Sequence, residues 1–162
     1  MIFVLHGEES FLRVRKLQEI KERYLALHKE KFYVRVFDCL QADIREILQE
    51  IRGASLFQEK KLIILENPFS SQDIKEKLLE YKEELAKTNQ VLVLSQEGGI
   101  EKEDELFLFL NAHGKAQEFS LLSERSLGFW ILKEFLRYGM RISLDVQNAL
   151  ANFLISGRIG RR

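Results

Sequence analysis

RGASLFQEKKLIILENP, residues 52–68, sets two different signals side by side. The second half, KLIILE at 61–66, is an unbroken apolar run with charged ends, stopped by Asn67-Pro68. Such a run is the centre of a buried sheet. The Leu56-Phe57 pair before it stands between a glycine and a charged stretch. It belongs to neither neighbouring hydrophobic period, so two large apolar side chains occupy a connector.

Working outward from that strand, the pattern repeats. On the N-terminal side, Ile44, Ile47, Leu48 and Ile51 form an i, i+3, i+4, i+7 stripe, with Asp43 and Glu46 in the positions of a capping box. FYVRVFD at 32–38 alternates and is rich in β-branched and aromatic residues, which predicts a strand. IFVL at 2–5 predicts another, ended by His6-Gly7. From Glu8 a helix follows, with Phe11, Val14, Leu17, Ile20, Tyr24 and Leu27 as its expected apolar face.

On the C-terminal side, Ser70 and Asp73 are placed to cap a helix bearing Ile74, Leu78, Tyr81 and Leu85. QVLVLS at 90–95 is a strand broken by Gly98-Gly99. A helix around 102–112 carries Leu106, Phe109 and Leu110, and AQEFS at 116–120 is a fifth strand. Strands alternating with helices require right-handed crossovers and a mostly parallel sheet covered on both faces. Residues 1–121 are thus expected to form a doubly wound, five-stranded α/β domain.

Beyond residue 121 the strands stop. Ser123 caps a helix with Leu127, Trp130, Ile131, Phe135 and Tyr138, ended by Gly139. Ser143 opens another with Val146, Leu150, Phe153 and Leu154. Two amphipathic helices bury their apolar faces poorly by themselves. Residues 122–162 are expected to be an incomplete helical domain or one docked on a partner.

Composition narrows the function classes. Lys plus Arg and Asp plus Glu are both 25, so no global basic field draws the chain to nucleic acid. The single cysteine, Cys39, excludes an internal disulfide, the apolar runs are too short for a membrane span, and MIFVLHGEES is no signal peptide. A cytoplasmic protein is expected.

Chemistry is sparse. The first strand-to-helix turn, HGEESFL, holds one glycine and two carboxylates, whereas a phosphate loop needs several glycines, a lysine and a hydroxyl. The usual nucleotide pocket is therefore expected to be lost, and Glu66 reads as a strand-end charge rather than a metal-coordinating carboxylate. His6, His28, His113 and Cys39 show no metal-ligand spacing. His6 would approach Cys39 or Asp38 only if the first two strands were neighbours. Arg13, Arg15, Lys16, Lys21 and Arg23 are interleaved with acids and read as a solvated face, and Trp130 as a core residue of the helical pair. No catalytic, cofactor-binding or metal residue is assigned. The residues alone leave Leu56-Phe57 with two readings: a small lid folded over the sheet edge, or an outward two-residue anchor for a pocket on another protein.

The order LHGEESFL, GASLFQEKKLIILEN and VLVLS, followed by Trp130, Gly139, Ile142 and Leu150, resembles the delta subunit of bacterial DNA polymerase III, the clamp-opening subunit of the clamp loader. Its most specific element is SLF-x-x-K-x-L, an apolar run and Glu-Asn. The resemblance implies a P-loop-type, AAA+-like domain with a degenerate phosphate loop and no ATP hydrolysis, followed by a helical lid. It also implies a noncatalytic accessory subunit of the DNA-directed DNA polymerase holoenzyme. In that family an apolar pair enters a hydrophobic pocket of the β sliding clamp. On this sequence the pair is Leu56 and Phe57, with Ser55 and Ala54 as lesser contacts. Other clamp-loader subunits would be further partners, and DNA an indirect one. Relative to the family, the chain stops before the lid is complete and lacks the C-terminal collar domain, which suggests a fragment or a shortened relative. The rival readings are a nucleotide-binding enzyme with an atypical phosphate loop and a helical-lid interaction protein of another complex.

Overall fold

The computed structural model describes residues 1–28, 33–53 and 60–159. They fall into two compact units, Met1–Ser120 and Leu121–Arg162. In the first, β1 (Ile2–Gly7), α1 (Ser10–Leu27), β2 (Val34–Asp38), α2 (Ile44–Arg52) and β3 (Leu62–Glu66) are followed by a 3₁₀ turn at Pro68–Ser70. Then come α3 (Gln72–Glu80), α4 (Lys82–Lys87), β4 (Val91–Glu97), α5 (Glu105–His113) and β5 (Lys115–Glu118).

The five strands form one sheet of order β2-β3-β4-β1-β5. Every pairing is parallel. Side chains alternate across each strand, and the two resulting layers are chemically continuous. Ile2, Val4, Ile63, Leu65, Leu92 and Leu94 face α2, α3, α4 and α5 through Ile47, Ile51, Ile74, Leu78, Leu85, Leu106 and Leu110. Leu5, Leu62, Ile64 and Val93 face α1 through Tyr24, Leu12, Leu17 and Ile20. The split follows from chain direction. The step β1→β2 crosses the sheet one way, while β2→β3, β3→β4 and β4→β5 cross it the other way. Right-handed crossovers then place α1 on one face and the remaining helices on the other. Leu62, Ile63, Ile64 and Leu65 are all essentially without solvent exposure. The unbroken run seen in the sequence is thus the two-sided burial of a central strand.

The second unit consists of α6 (Glu124–Arg137) and α7 (Leu144–Ile159). Ser123 caps α6, its hydroxyl accepting from the Ser126 amide. Leu127, Ile131 and Ala151 form a small core, with Trp130, Phe135, Ile142, Leu150 and Ile155 packed around it.

Several expectations need correction. On α1, Phe11, Val14 and Leu27 are exposed, and Arg13 is buried with Tyr24. The face actually used is Leu12, Arg13, Leu17, Ile20 and Tyr24. The third helix starts at Gln72, and no side chain of its N-cap residue, Ser71, bonds to it; Ser70 instead closes the preceding 3₁₀ turn and accepts from Gln96. Tyr138, just past the end of α6, is exposed; on α7, Val146, Phe153 and Leu154 are exposed, and Ala151 is the buried contact. β1 and β2 are separated by β3 and β4, so His6 and Cys39 are not strand neighbours.

Candidate functional site

A parallel sheet of this order has its switch point at the carboxyl ends of β1 and β4, whose following connections leave in opposite directions. Ligands of α/β proteins bind in that crevice. Here the backbone occupies it. Gly7 N–H donates to the Gly98 carbonyl at 2.7 Å, and Gly98 N–H donates back at 3.2 Å. The Glu9 amide, at the start of α1, donates to the Phe119 carbonyl at 2.9 Å, and the Phe119 amide donates to the His6 carbonyl at 2.7 Å. The amides of Gly7 and Glu9, which in a phosphate loop would face an anion, bond protein carbonyls instead. Gly7 has φ +126°, and a Cβ there would lie 2.3 Å from the Phe119 oxygen, so only glycine permits the closure.

Two polar side chains beside the crevice, Arg13 and His6, are buried. Arg13 is buried, and its Nη1 donates to Ser95 Oγ at 2.8 Å. His6 is buried edge-on to Phe107, with ring centroids 5.2 Å apart. Burial pushes its pKa below the ordinary value, an effect the Glu118 carboxylate partly offsets. Glu66 pairs across β2 and β4 with Asp38 and Ser95, and its carbonyl accepts from the Cys39 amide at 2.9 Å. Among the described residues, no group of three or more His, Cys, Asp or Glu is placed to hold a metal ion. Nor is any described helix long and apolar enough to cross a membrane.

At the opposite, amino edge of the sheet, α2 ends at Arg52 and β3 begins at Leu62. Ala54, Ser55, Leu56 and Phe57 lie outside the described residues; the residues on either side of them are described. Asp43 opens α2 by accepting from the Arg45 amide at 2.9 Å. Ile47, Leu48 and Ile51 bury the helix, and Gly53 closes it, its amide donating to the Gln49 carbonyl at 2.7 Å. A Cβ on Gly53 would come within 2.9 Å of that carbonyl. On the far side, Lys61 leads into β3, and its carbonyl accepts from the Val91 amide at 2.8 Å.

One residue bonds both ends. Gln90, 7% exposed, immediately precedes β4. Its Nε2 donates to the Gly53 carbonyl at 3.2 Å, while its Oε1 accepts from the Lys61 amide at 2.5 Å. The Gln90 carbonyl accepts from the Met1 amino group at 2.8 Å, and its own amide donates to Thr88 Oγ1 at 3.3 Å. Tyr24 of α1 adds a hydrogen bond from its hydroxyl to the Lys60 carbonyl. Charges brace the rim: Lys61 Nζ meets Glu50 at 2.6 Å, and Arg35 meets the same carboxylate at 3.3 Å. Arg52 forks onto Glu84 at 2.5 and 3.0 Å and lies over the Tyr81 ring, 4.3 Å from its centroid. The Arg52 hydrogen bonds hold the Glu84 carboxyl below the usual carboxylate range.

Arg13, expected on a solvated face, is buried instead, and Gln90 was not singled out in the sequence. Gln90 is a lone polar residue flanking an apolar run, and nothing local marks it. Arg13 left a signal, for it shares the 13, 17, 20, 24 spacing with Leu17, Ile20 and Tyr24.

A sequence model of the family described as DNA polymerase III, delta subunit, matches residues 3–120, well over half of the chain. No curated protein matches by sequence. Among solved structures, the fold is similar to the Bacillus subtilis DNA clamp loader delta protein (YqeN). The two share 17% identity with a TM-score of 0.65, over 92% of this chain and 47% of that one. The chain thus spans about half the length of that relative.

Proposed function

The chain belongs to the DNA polymerase III delta subunit family, and from that premise we propose that it is a clamp-loader component that grips the β sliding clamp through Leu56 and Phe57. Ser55 and Ala54 would supply lesser contacts. It is a noncatalytic role. The observation that supports it most is the division of labour between the two ends of the sheet. The carboxyl end, where a nucleotide would sit, is occupied by the Gly7–Gly98 and Glu9–Phe119 backbone bonds. At the amino edge, Gly53 and Lys61, on either side of residues 54–59, both bond the buried Gln90.

An aromatic and a branched aliphatic at adjacent positions make a compact hot spot for a hydrophobic pocket. The mechanism is differential binding: an anchor that fits the clamp better when one ring interface is open shifts the ring toward that state without chemistry in this subunit. ATP turnover then belongs to other loader subunits, and contact with DNA is indirect. In this reading residues 1–121 are the AAA+-like clamp-binding domain, residues 122–162 contribute helices to the lid, and the protein works in the cytoplasm.

The test is binding of the full chain to the sliding clamp of its own organism. Leu56→Ala and Phe57→Ala are each expected to cost about 2 kcal/mol or more, the range of hot-spot truncations. A double variant that binds as tightly as the parent would overturn the assignment.

A further inference from the structure

We infer that a basic groove beside α2 is a second contact surface for the clamp, and that it takes an acidic, extended segment of that partner. The inference rests on the clamp-loader reading above and places a surface on residues other than the proposed anchor. The groove, of about 440 Å³, lies between α2 and the junction of α3 with α4. Arg45, Leu48, Gln49, Arg52, Gly53 and Tyr81 line it, with two cations and no carboxylate among them. Arg45, Leu48, Gln49 and Arg52 recur at the helical period, so one stripe of α2 makes the wall. Leu48 and the Tyr81 ring supply apolar surface between the charges.

Both guanidinium groups are held by one edge. Arg45 donates to Asp43 through Nε and Nη2, at 3.0 and 2.6 Å. Arg52 donates to Glu84 through the same two atoms, at 2.5 and 3.0 Å, and lies over Tyr81. Neither carboxylate uses Nη1, so each fork is oriented and keeps donors for an outside acceptor. An arginine already immobilised loses less side-chain freedom when it meets a carboxylate. Spacing selects the class of ligand. Arg45 and Arg52 are two helical turns apart, about 10 Å along the axis, too far for one carboxylate or phosphate to bridge. An extended chain rises about 3.3 Å per residue, so two acidic side chains roughly three residues apart match the pair. A nucleic-acid backbone fits worse. Its phosphates would meet Asp43, Glu46 and Glu84, which stand next to the two arginines.

The experiment measures binding of the full chain to the sliding clamp of its own organism across a range of salt, for the parent, Arg45→Glu, Arg52→Gln and Lys87→Glu. The Arg45 and Lys87 side chains are 87% and 79% exposed, so neither change touches the core. Lys87 does not line the groove, and its reversal reports the effect of net charge alone. Arg45→Glu is expected to weaken binding roughly 10-fold at low salt, chiefly through slower association, and to flatten the salt dependence. Arg52→Gln, which removes the fork and keeps a polar side chain, is expected to lose roughly 5-fold, and Lys87→Glu less than about 2-fold. Parent-like binding by Arg45→Glu would overturn the inference. So would an equal loss in Lys87→Glu, which leaves only steering by net charge. Loss of duplex DNA binding in Arg45→Glu with clamp binding unchanged would also overturn it and assign the groove to nucleic acid. Phe57→Ala, measured alongside, separates the two proposals. If it weakens binding and Arg45→Glu does not, the groove falls and the anchor stands; with the results reversed, the anchor falls and the groove stands.

Discussion

Gly7 and Gly98 exchange two backbone hydrogen bonds, at 2.7 and 3.2 Å, across the carboxyl ends of two neighbouring parallel strands. The bridge runs antiparallel to the sheet's own sense because Gly98 lies where the chain has already turned away from β4. It occupies the place that an α/β protein usually leaves open for a ligand.

This predicts that Gly7→Ala destabilises the first unit rather than altering a binding activity. A positive-φ position costs a non-glycine residue about 1–3 kcal/mol, and the new Cβ would also meet the Phe119 carbonyl. Urea unfolding should show the midpoint fall with little change in slope, and added Mg-ATP should move neither parent nor variant. Stabilisation of the parent by ATP that disappears in Gly7→Ala would restore the nucleotide-binding alternative.

The buried His6 predicts an acid-sensitive fold. Burial lowers its pKa beneath the ordinary 6.5, so the folded state favours the neutral ring. Below pH 6.5 the unfolded chain binds the extra proton first, and stability falls as pH drops from there toward the folded-state pKa. Above pH 6.5 both states are neutral, and the residue contributes no pH dependence. His6→Leu should flatten the difference in unfolding free energy between neutral and mildly acidic buffer. An identical pH profile in parent and variant would refute the assignment.

Cys39 should be chemically quiet. It is 2% exposed, and its thiol is pushed up to about 12, first by burial and then by the Asp38 and Glu66 carboxylates. Alkylation of the native protein at mildly alkaline pH is expected to be at least roughly 100-fold slower than that of a free thiol, becoming ordinary in denaturant. Labelling at the free-thiol rate in the native state would contradict the burial.

How far the fold was legible depends on which physical signal each element gave. β3 and β4 were plain, because burial on both faces forces continuous apolar runs, and α2 was plain because Ile44, Ile47, Leu48 and Ile51 repeat the helical period. α1 misled. Steps of three from Phe11 through Val14 and Leu17 to Ile20 keep every residue apolar, yet nine residues at about 100° each put Phe11 opposite Ile20. The stripe that is truly constant in direction runs from Arg13 through Leu17 and Ile20 to Tyr24, and its first member is charged. Rejecting a charged residue from a buried face hid the Arg13–Ser95 contact, which joins α1 to β4 across 82 positions of sequence. The root of the connector was hidden for another reason. Gln90 meets Gly53 and Lys61 only once the sheet order is known, and no local pattern encodes that order. On α7 the small Ala151 takes the contact that the larger Val146, Phe153 and Leu154 were expected to make, since close helix packing rewards a small side chain over a large one.

The interior position of β3, between β2 and β4, has a mechanical meaning. A pull on the connector enters the molecule at Lys61 and runs along a strand hydrogen-bonded on both sides, to β2 and to β4. Parallel strands drawn along their length load all their cross-strand bonds together, in shear, instead of peeling them one at a time. Gln90 shares the same load with the Gly53 end. A load applied at Lys61 is therefore carried by two neighbouring strands at once.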